Sequence, residues 1–211
     1  MPTTPSTRLR GPRLSRDARR AQLLAAAQEV FVRYGYHAAA MDDIADRAGV
    51  SKPVVYQHFE SKLELYLALL DQHTEALLDA VRTALASTRD NKQRVAATIA
   101  AYFEFVDRDG EPFRLVFESD LTNERAVRDR VEAVTERCAQ AIAEVISEDT
   151  HLPPEQAMLL GVALTGMAQV SARYWLSTQG SIPREAASVL IGQLSWRGLG
   201  AFPKVEGPAA R

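Results

Sequence analysis

Between Met41 and Phe59 the chain reads MDDIADRAGVSKPVVYQHF, and this stretch holds the side chains with most to offer a chemical partner. Lys52 supplies a cation for a phosphate oxygen, and the Gln57 amide can pair bidentately with adenine or bond other base edges. Pro53 and Val54 present methylene and methyl surface suited to a thymine methyl. The Tyr56 hydroxyl and His58 can reach nucleic-acid backbone oxygens, contacts that position a protein without reading sequence. Lys62, in the first turn of the next helix, adds a point charge beside free backbone N–H groups, a second phosphate site.

These groups act together only if something holds them at a fixed tilt. Met41, Ile44, Ala45 and Ala48 recur at i, i+3, i+4 and i+7, a short amphipathic helix that Gly49 ends. Ser51 is an N-cap for a second short helix running to about Phe59, with Pro53 in its first turn, where a missing N–H costs nothing. Small Ala45 at the crossing, Gly49 at the reversal, and Val50 and Val55 beneath the turn make a helix-turn-helix. Its second helix then projects far enough to enter a major groove about 12 Å wide. The competing reading is a helical hairpin that only packs. The serine caps on both sides and the cationic front favour double-stranded DNA.

Charge patterning agrees. The 211 residues carry a formal net charge of −2, yet residues 1–60 sum to +3 and the remainder to −5. The excess lies in Arg8, Arg10, Arg13, Arg16, Arg19 and Arg20, at an end that would face a polyanion; a solvated basic tail with no partner is the plainer alternative. No run of about 18 uncharged apolar residues occurs, and the N-terminal arginines are not followed by an apolar core, so neither a membrane span nor a secretory signal is expected. The lone Cys138 cannot form an intramolecular disulfide and, among Ala139, Ala141 and Ile142, reads as a buried thiol. A cytoplasmic protein is expected. His37, His58, His73 and His151 lack metal-ligand spacing, and no nucleophile elbow or phosphate-binding glycine loop is present, so no metal, no cofactor and no enzyme are expected.

Almost everything after residue 14 has helical periodicity, and the fold class is all-α with about nine helices. Ser15 caps the first helix and Gly35 ends it; Ser61 and Glu64 form a capping box for the fourth. A fifth runs from about Asn91 to Arg108, a short sixth from Pro112 to about Glu118, and a seventh from Glu124 to Ser147. The eighth opens at Pro153-Pro154 and runs to Thr178, and the ninth spans Pro183 to Gly198. The division is a flexible basic arm at 1–14, a helix-turn-helix DNA-binding domain at 15–60, a helical effector-binding and dimerisation domain at 61–203, and a tail at 204–211.

The second domain is too apolar for a spacer. Phe103, Phe113, Phe117 and Trp175 are the aromatic candidates for an adaptable pocket holding a small lipophilic effector, with Arg173 or Arg114 as anchor for an anionic head group. Each of these residues also fits an ordinary core. Gly161, Ala163, Gly166, Ala168 and Ala172 make a small-residue surface on the eighth helix, and Ile191, Leu194 and Trp196 add bulk from the ninth. Two copies about a twofold axis would form a four-helix homodimer reading a palindromic operator; alternatively these faces pack within one chain.

Phe31, Gly35, Met41-Asp42-Asp43-Ile44-Ala45, Ala48-Gly49-Val50-Ser51-Lys52, Tyr56, His58-Phe59 and Ser61-Lys62 together resemble the TetR-type transcriptional regulators, over about residues 16–66. The closing Trp196-Arg197-Gly198-Leu199 is also similar. The resemblance implies a three-helix DNA-binding unit, a helical ligand-binding domain, dimerisation through the last two long helices, and an effector that alters operator binding. The stretch GYHAAAMDDIADRAGVSKPVVYQHFESKLELYLALL, with ARYWL at 172–176, resembles the fatty-acid-synthesis regulator (FasR-type) branch, which implies long-chain acyl-CoA as effector and lipid-synthesis genes as targets. A repressor of an efflux or catabolic operon with another lipophilic ligand, and an all-α interaction or lipid-carrying module without DNA, are the alternatives. Two departures stand out. Ala39 and Ala40 occupy the place of the family's Ser or Thr before the second helix, a cap worth roughly 1 kcal/mol. Pro53-Val54-Val55 replaces the usual Gly-Thr-Leu, so operator sequence does not carry over.

Overall fold

Ser15, Gly35 and Gly49 set the first turns of the chain. In the computed structural model, which describes residues 14–108, 121, 124–178 and 181–198, the Ser15 hydroxyl accepts the Ala18 N–H at 3.1 Å and opens helix α1 (Arg16–Ala38). The backbone leaves helical geometry at Gly35, where φ is 73° and ψ 166°, and one more turn carries the chain to Ala38. Helix α2 (Met41–Ala48) ends at Gly49 in the left-handed region, with φ 65° and ψ 35°, which a Cβ would strain. Helix α3 (Lys52–Tyr56) is shorter than its sequence implies. The N–H groups of His58 and Phe59 both turn to the Val55 carbonyl at 3.0 Å, which tightens the last turn and stops the helix. Ser51 stands at the N-cap position, but its hydroxyl makes no capping bond.

Helix α4 (Lys62–Ala86) opens with the expected box in slightly altered form. Ser61 Oγ accepts from the Glu64 N–H at 3.0 Å, while the Glu64 carboxylate reaches back to the N–H of Glu60. The chain separates into two units, the first ending at Tyr66 and the second starting at Leu67, a little beyond the boundary expected at residue 60. The reason is local: Tyr66 is buried edge-on to Phe31 and Tyr36, with ring centroids 5.3 Å apart in both pairs. The first turn of α4 therefore belongs to the small unit. Leu23, Ala27, Phe31, Ile44, Ala45, Val55 and Phe59 fill the rest of its core.

The second unit comprises the remainder of α4, then α5 (Asn91–Arg108), α6 (Arg125–Thr150), α7 (Pro154–Ser177) and α8 (Arg184–Arg197). The expected helix at 112–118 lies outside the described residues, and the described residues hold eight helices and no strand. Leu77, Leu78, Val81, Ile99, Phe103, Val106 and Val134 form the centre of one apolar cluster, each side chain worth about 1.5–3 kcal/mol on full burial. Arg130 meets Asp71 at 2.6 Å and Arg137 pairs with Glu75 across α6 and α4, but pairs this exposed are screened by water and add little. The apolar cluster decides the packing. Helices α6 and α7 approach so closely at Gly161 that a Cβ there would sit 2.3 Å from the Ala139 carbonyl oxygen. Among the described residues no helix is long and apolar enough to cross a membrane.

Candidate nucleic-acid interface and effector cavity

The hairpin of α2 and α3 is fixed from beneath and from behind. Ile44 and Val55 are fully buried under the turn and Val50 half-buried. The Gly49 N–H bonds the Asp46 carbonyl at 3.0 Å and the Val50 N–H bonds that of Ala45 at 3.0 Å. From α1, the Gln22 amide donates to the Ala48 carbonyl at 2.8 Å, so one of the orphan acceptors at the end of α2 is satisfied by the neighbouring helix. Arg20 lies over the Phe59 ring at 4.4 Å, and Arg47 pairs with Glu29. None of Gln22, Arg20 and Glu29 carries a local sequence signature, since each acts on a residue far along the chain.

What remains outside is the face expected to meet DNA. Lys52, Pro53, Tyr56 and Gln57 are exposed; Val54 and His58 are half-buried. Lys52 is not an isolated cation. Its Nζ donates to Asp42 Oδ2 at 3.0 Å, and that bond together with the carboxylate charge holds the lysine above its ordinary pKa. Asp43 performs a second task in the same turn: its carboxylate accepts the Ala40 N–H at 3.0 Å. Half of a capping box is therefore retained where alanine has replaced the capping hydroxyl, and two carboxylates at the start of α2 complement its dipole.

Lys62 departs from its expected place at a phosphate. Its ammonium donates to the carbonyls of Tyr36 at 2.7 Å, Ala39 at 2.8 Å and His37 at 3.3 Å, and stands 4.5 Å from the centre of the Tyr36 ring. An ammonium has three protons, and all three are directed at main-chain oxygens. Lys62 closes the end of α1 after the Gly35 break and ties it to α4.

The second unit contains a cavity of about 520 Å³, and its walls are mostly aliphatic. Val95, Ile99 and Tyr102 from α5, Cys138, Ile142 and Ile146 from α6, Leu160, Leu164 and Met167 from α7, and Trp196 from α8 line it. The aromatic candidates named from sequence lie elsewhere. Phe103 and Trp175 are buried against each other, centroids 5.7 Å apart, as core rather than cavity wall, and the Trp175 indole donates to the Ile182 carbonyl at 2.7 Å. Arg173 is exposed on α7 and does not line the cavity. Phe113, Phe117 and Arg114 lie outside the described residues. At one end the lining turns polar: Arg94 Nη1 meets Asp149 Oδ2 at 2.7 Å, beside Asn91 and Thr150.

The small-residue surface of α7 divides in two. Gly161 faces Ala139 and Ala143, and Ala168 and Ala172 are buried in the core cluster, so these three serve packing within one chain. Exposed instead are Leu159, Val162, Val170 and Tyr174 along α7, and Val189, Leu190 and Trp196 on α8.

Comparison with known proteins places this geometry. Residues 23–69 match the family described as bacterial regulatory proteins, tetR family. The chain is 50% identical over 194 residues to the HTH-type transcriptional activator FasR of Mycolicibacterium smegmatis, covering 92% of this chain and 89% of that protein. A TetR-like transcriptional regulator from Rhodococcus sp. RHA1 is 26% identical, with a TM-score of 0.72 over 89% of this chain and 99% of the other. The transcriptional regulator FadR from Bacillus subtilis, solved in complex with stearoyl-CoA, shares the fold at 18% identity and a TM-score of 0.72, over 84% of this chain and 98% of that one. The buried turn, the exposed second helix and a relative matched along nearly the whole chain lead to one conclusion: this protein belongs to the TetR family of DNA-binding transcriptional regulators and is not an enzyme.

Proposed function

We propose that the protein is a cytoplasmic, homodimeric regulator of lipid-synthesis genes whose hold on a palindromic operator is set by a long-chain acyl-CoA. The observation that carries this reading is the cavity in the second unit: about 520 Å³, lined mostly by aliphatic side chains, with Asn91, Arg94, Asp149 and Thr150 gathered as a polar group in its wall, which suits an acyl chain with a polar terminus. The 50% identity to FasR supports the target genes, and the stearoyl-CoA in the FadR structure supports the ligand class. The exposed stripe on α7 and α8 supports a twofold interface. Helix α4 supports the coupling, because it begins beside Tyr36 and ends in the cavity wall at Val81 and Leu85. An effector acts only through a difference in its affinity for the two states of the protein. The DNA readers in this reading are Lys52, Pro53, Val54, Tyr56, Gln57 and His58.

The test is a titration of palmitoyl-CoA into the complex between purified protein and the intergenic DNA upstream of its own gene, followed by fluorescence anisotropy. Release or tightening at micromolar ligand is expected. An unchanged complex at saturating palmitoyl-CoA removes the acyl-CoA from the reading, and the absence of any complex below about 100 mM salt removes that operator.

A further inference from the structure

The polar end of the cavity holds a guanidinium that is already neutralised. Arg94, with 17% of its side chain exposed, donates from Nη1 to Asp149 Oδ2 at 2.7 Å and to Asn91 Oδ1 at 3.0 Å, and from Nε to the Thr88 carbonyl at 2.7 Å. A ligand carboxylate arriving here would place a second anion beside Asp149 in a partly dry site, or would have to displace it. Neither is favourable. A neutral carbonyl meets no such opposition. Two donors for one stand in the same walls: the Thr98 hydroxyl, one helical turn from Arg94, and the Thr165 hydroxyl on α7 are buried without a hydrogen-bond partner. Elsewhere in the chain Thr135 and Thr150 bond the carbonyl four residues back, at 2.8 and 2.6 Å, which is how helical threonines are normally satisfied. A turn about the Cα–Cβ bond exchanges hydroxyl and methyl, so Thr98 and Thr165 can present a donor to a ligand oxygen.

We propose that the Arg94–Asp149 pair makes the cavity selective for neutral acyl derivatives, esters and thioesters, over free fatty acids, with Asp149 the residue that excludes the acid. This rests on the lipophilic-effector reading of the same cavity and adds the chemical form of the ligand's polar group.

The experiment measures dissociation constants of decanoate and methyl decanoate at pH 7.5 for the full-length protein by displacement of a fluorescent apolar dye. The parent is expected to prefer the ester by about tenfold or more, the size of discrimination that one mispaired buried polar group produces. Asp149→Asn, and Asp149→Ser as a second variant, should strengthen decanoate binding by about tenfold and leave the ester within about threefold. Adding Arg94→Gln to Asp149→Asn should remove that gain, and Thr98→Val or Thr165→Val should weaken the ester by about fivefold while raising the melting temperature of the free protein. Equal binding of acid and ester by the parent, a decanoate affinity unmoved in both Asp149 variants, or no binding of either probe would overturn the proposal. The acyl-CoA reading fails by a separate readout, an operator complex indifferent to palmitoyl-CoA. That failure with the ester preference intact leaves the neutral-ligand selectivity standing.

Discussion

The Lys62 ammonium sits over the Tyr36 ring, 4.5 Å from its centre, and donates to the carbonyl of that same residue at 2.7 Å. One side chain thus closes the α1 terminus with two different interactions, while also binding the Ala39 carbonyl at 2.8 Å just before α2. Hydrogen bonds to a charged group are worth about 1.5–3 kcal/mol, so Lys62→Met should destabilise the protein by about 2–3 kcal/mol. Urea unfolding monitored by circular dichroism checks it. DNA affinity should fall as well, because α2 loses its tether to α4, but the slope of log affinity against log salt should stay that of the parent. A slope reduced by about one with unchanged stability would return Lys62 to a phosphate.

The contrast with Ser61 shows what the sequence could convey. Ser15, Gly49, Pro53 and the Ser61–Glu64 pair act on backbone within four residues, so their spacing alone located four helix ends. The partners of Lys62 are 23 to 26 residues away, and no local pattern announces them. The cavity was hidden for a related reason. Residue type alone leaves Phe103 and Trp175 as either pocket wall or ordinary core, and they are core. Where inward-facing side chains fail to fill space depends on sizes summed over five helices, and the void lies by Thr98, Ala163 and Ala168 instead. The same ambiguity split the small residues of α7: Gly161, Ala168 and Ala172 serve packing within one chain, whereas Ala163 stays exposed.

Asp42 restrains the Lys52 cation, proposed above as a DNA contact, since Lys52 Nζ lies 3.0 Å from its carboxylate. Asp42→Asn should free that charge and remove an anion from the interface. Affinity for any DNA sequence should rise severalfold at low salt, and the salt slope should steepen by about one. Lys52→Ala should do the reverse. Anisotropy titrations from 50 to 200 mM salt measure both, and identical slopes in the two variants would separate Lys52 from the phosphates.

Gln57 is exposed at the end of α3, next to Tyr56. If it reads a base edge, Gln57→Ala should relax preference at one position in each half-site, by about 1–3 kcal/mol, without a uniform loss over all sequences. Tyr56→Ala should show the opposite pattern, weaker binding with an unchanged consensus. Selection from a random duplex library reports the two consensus sequences directly. The same site preference from Gln57→Ala and the parent would place Gln57 outside the readout.

At Gly161 the 2.3 Å approach of a new Cβ to the Ala139 carbonyl cannot be relieved by turning a side chain, because the obstructing atom is main chain. Gly161→Ala should therefore force α6 and α7 apart at a cost of about 2 kcal/mol, despite alanine's better helix propensity. The loss should be independent of protein concentration in thermal unfolding, as expected for a contact inside one chain. A loss that grows on dilution would instead assign Gly161 to the interface between copies.

Cys138 gives the cavity a built-in reporter. It is 1% exposed yet lines the cavity, and burial pushes its thiol pKa up to about 11. The thiolate is the reactive form, and near pH 8 only about one Cys138 in a thousand would carry it, against roughly a quarter of free cysteines. The native protein should accordingly resist iodoacetamide at pH 8 over a time in which the urea-unfolded chain reacts fully. Because the pKa is raised, the native rate should climb steeply and without plateau between pH 8 and pH 10. Occupying the cavity with palmitoyl-CoA should slow it further at every pH, since the entering reagent and the acyl chain would compete for the same space. Alkylation as fast as that of the unfolded chain, or a rate that ignores the ligand, would mean that the acyl chain does not lie against α6 at Cys138.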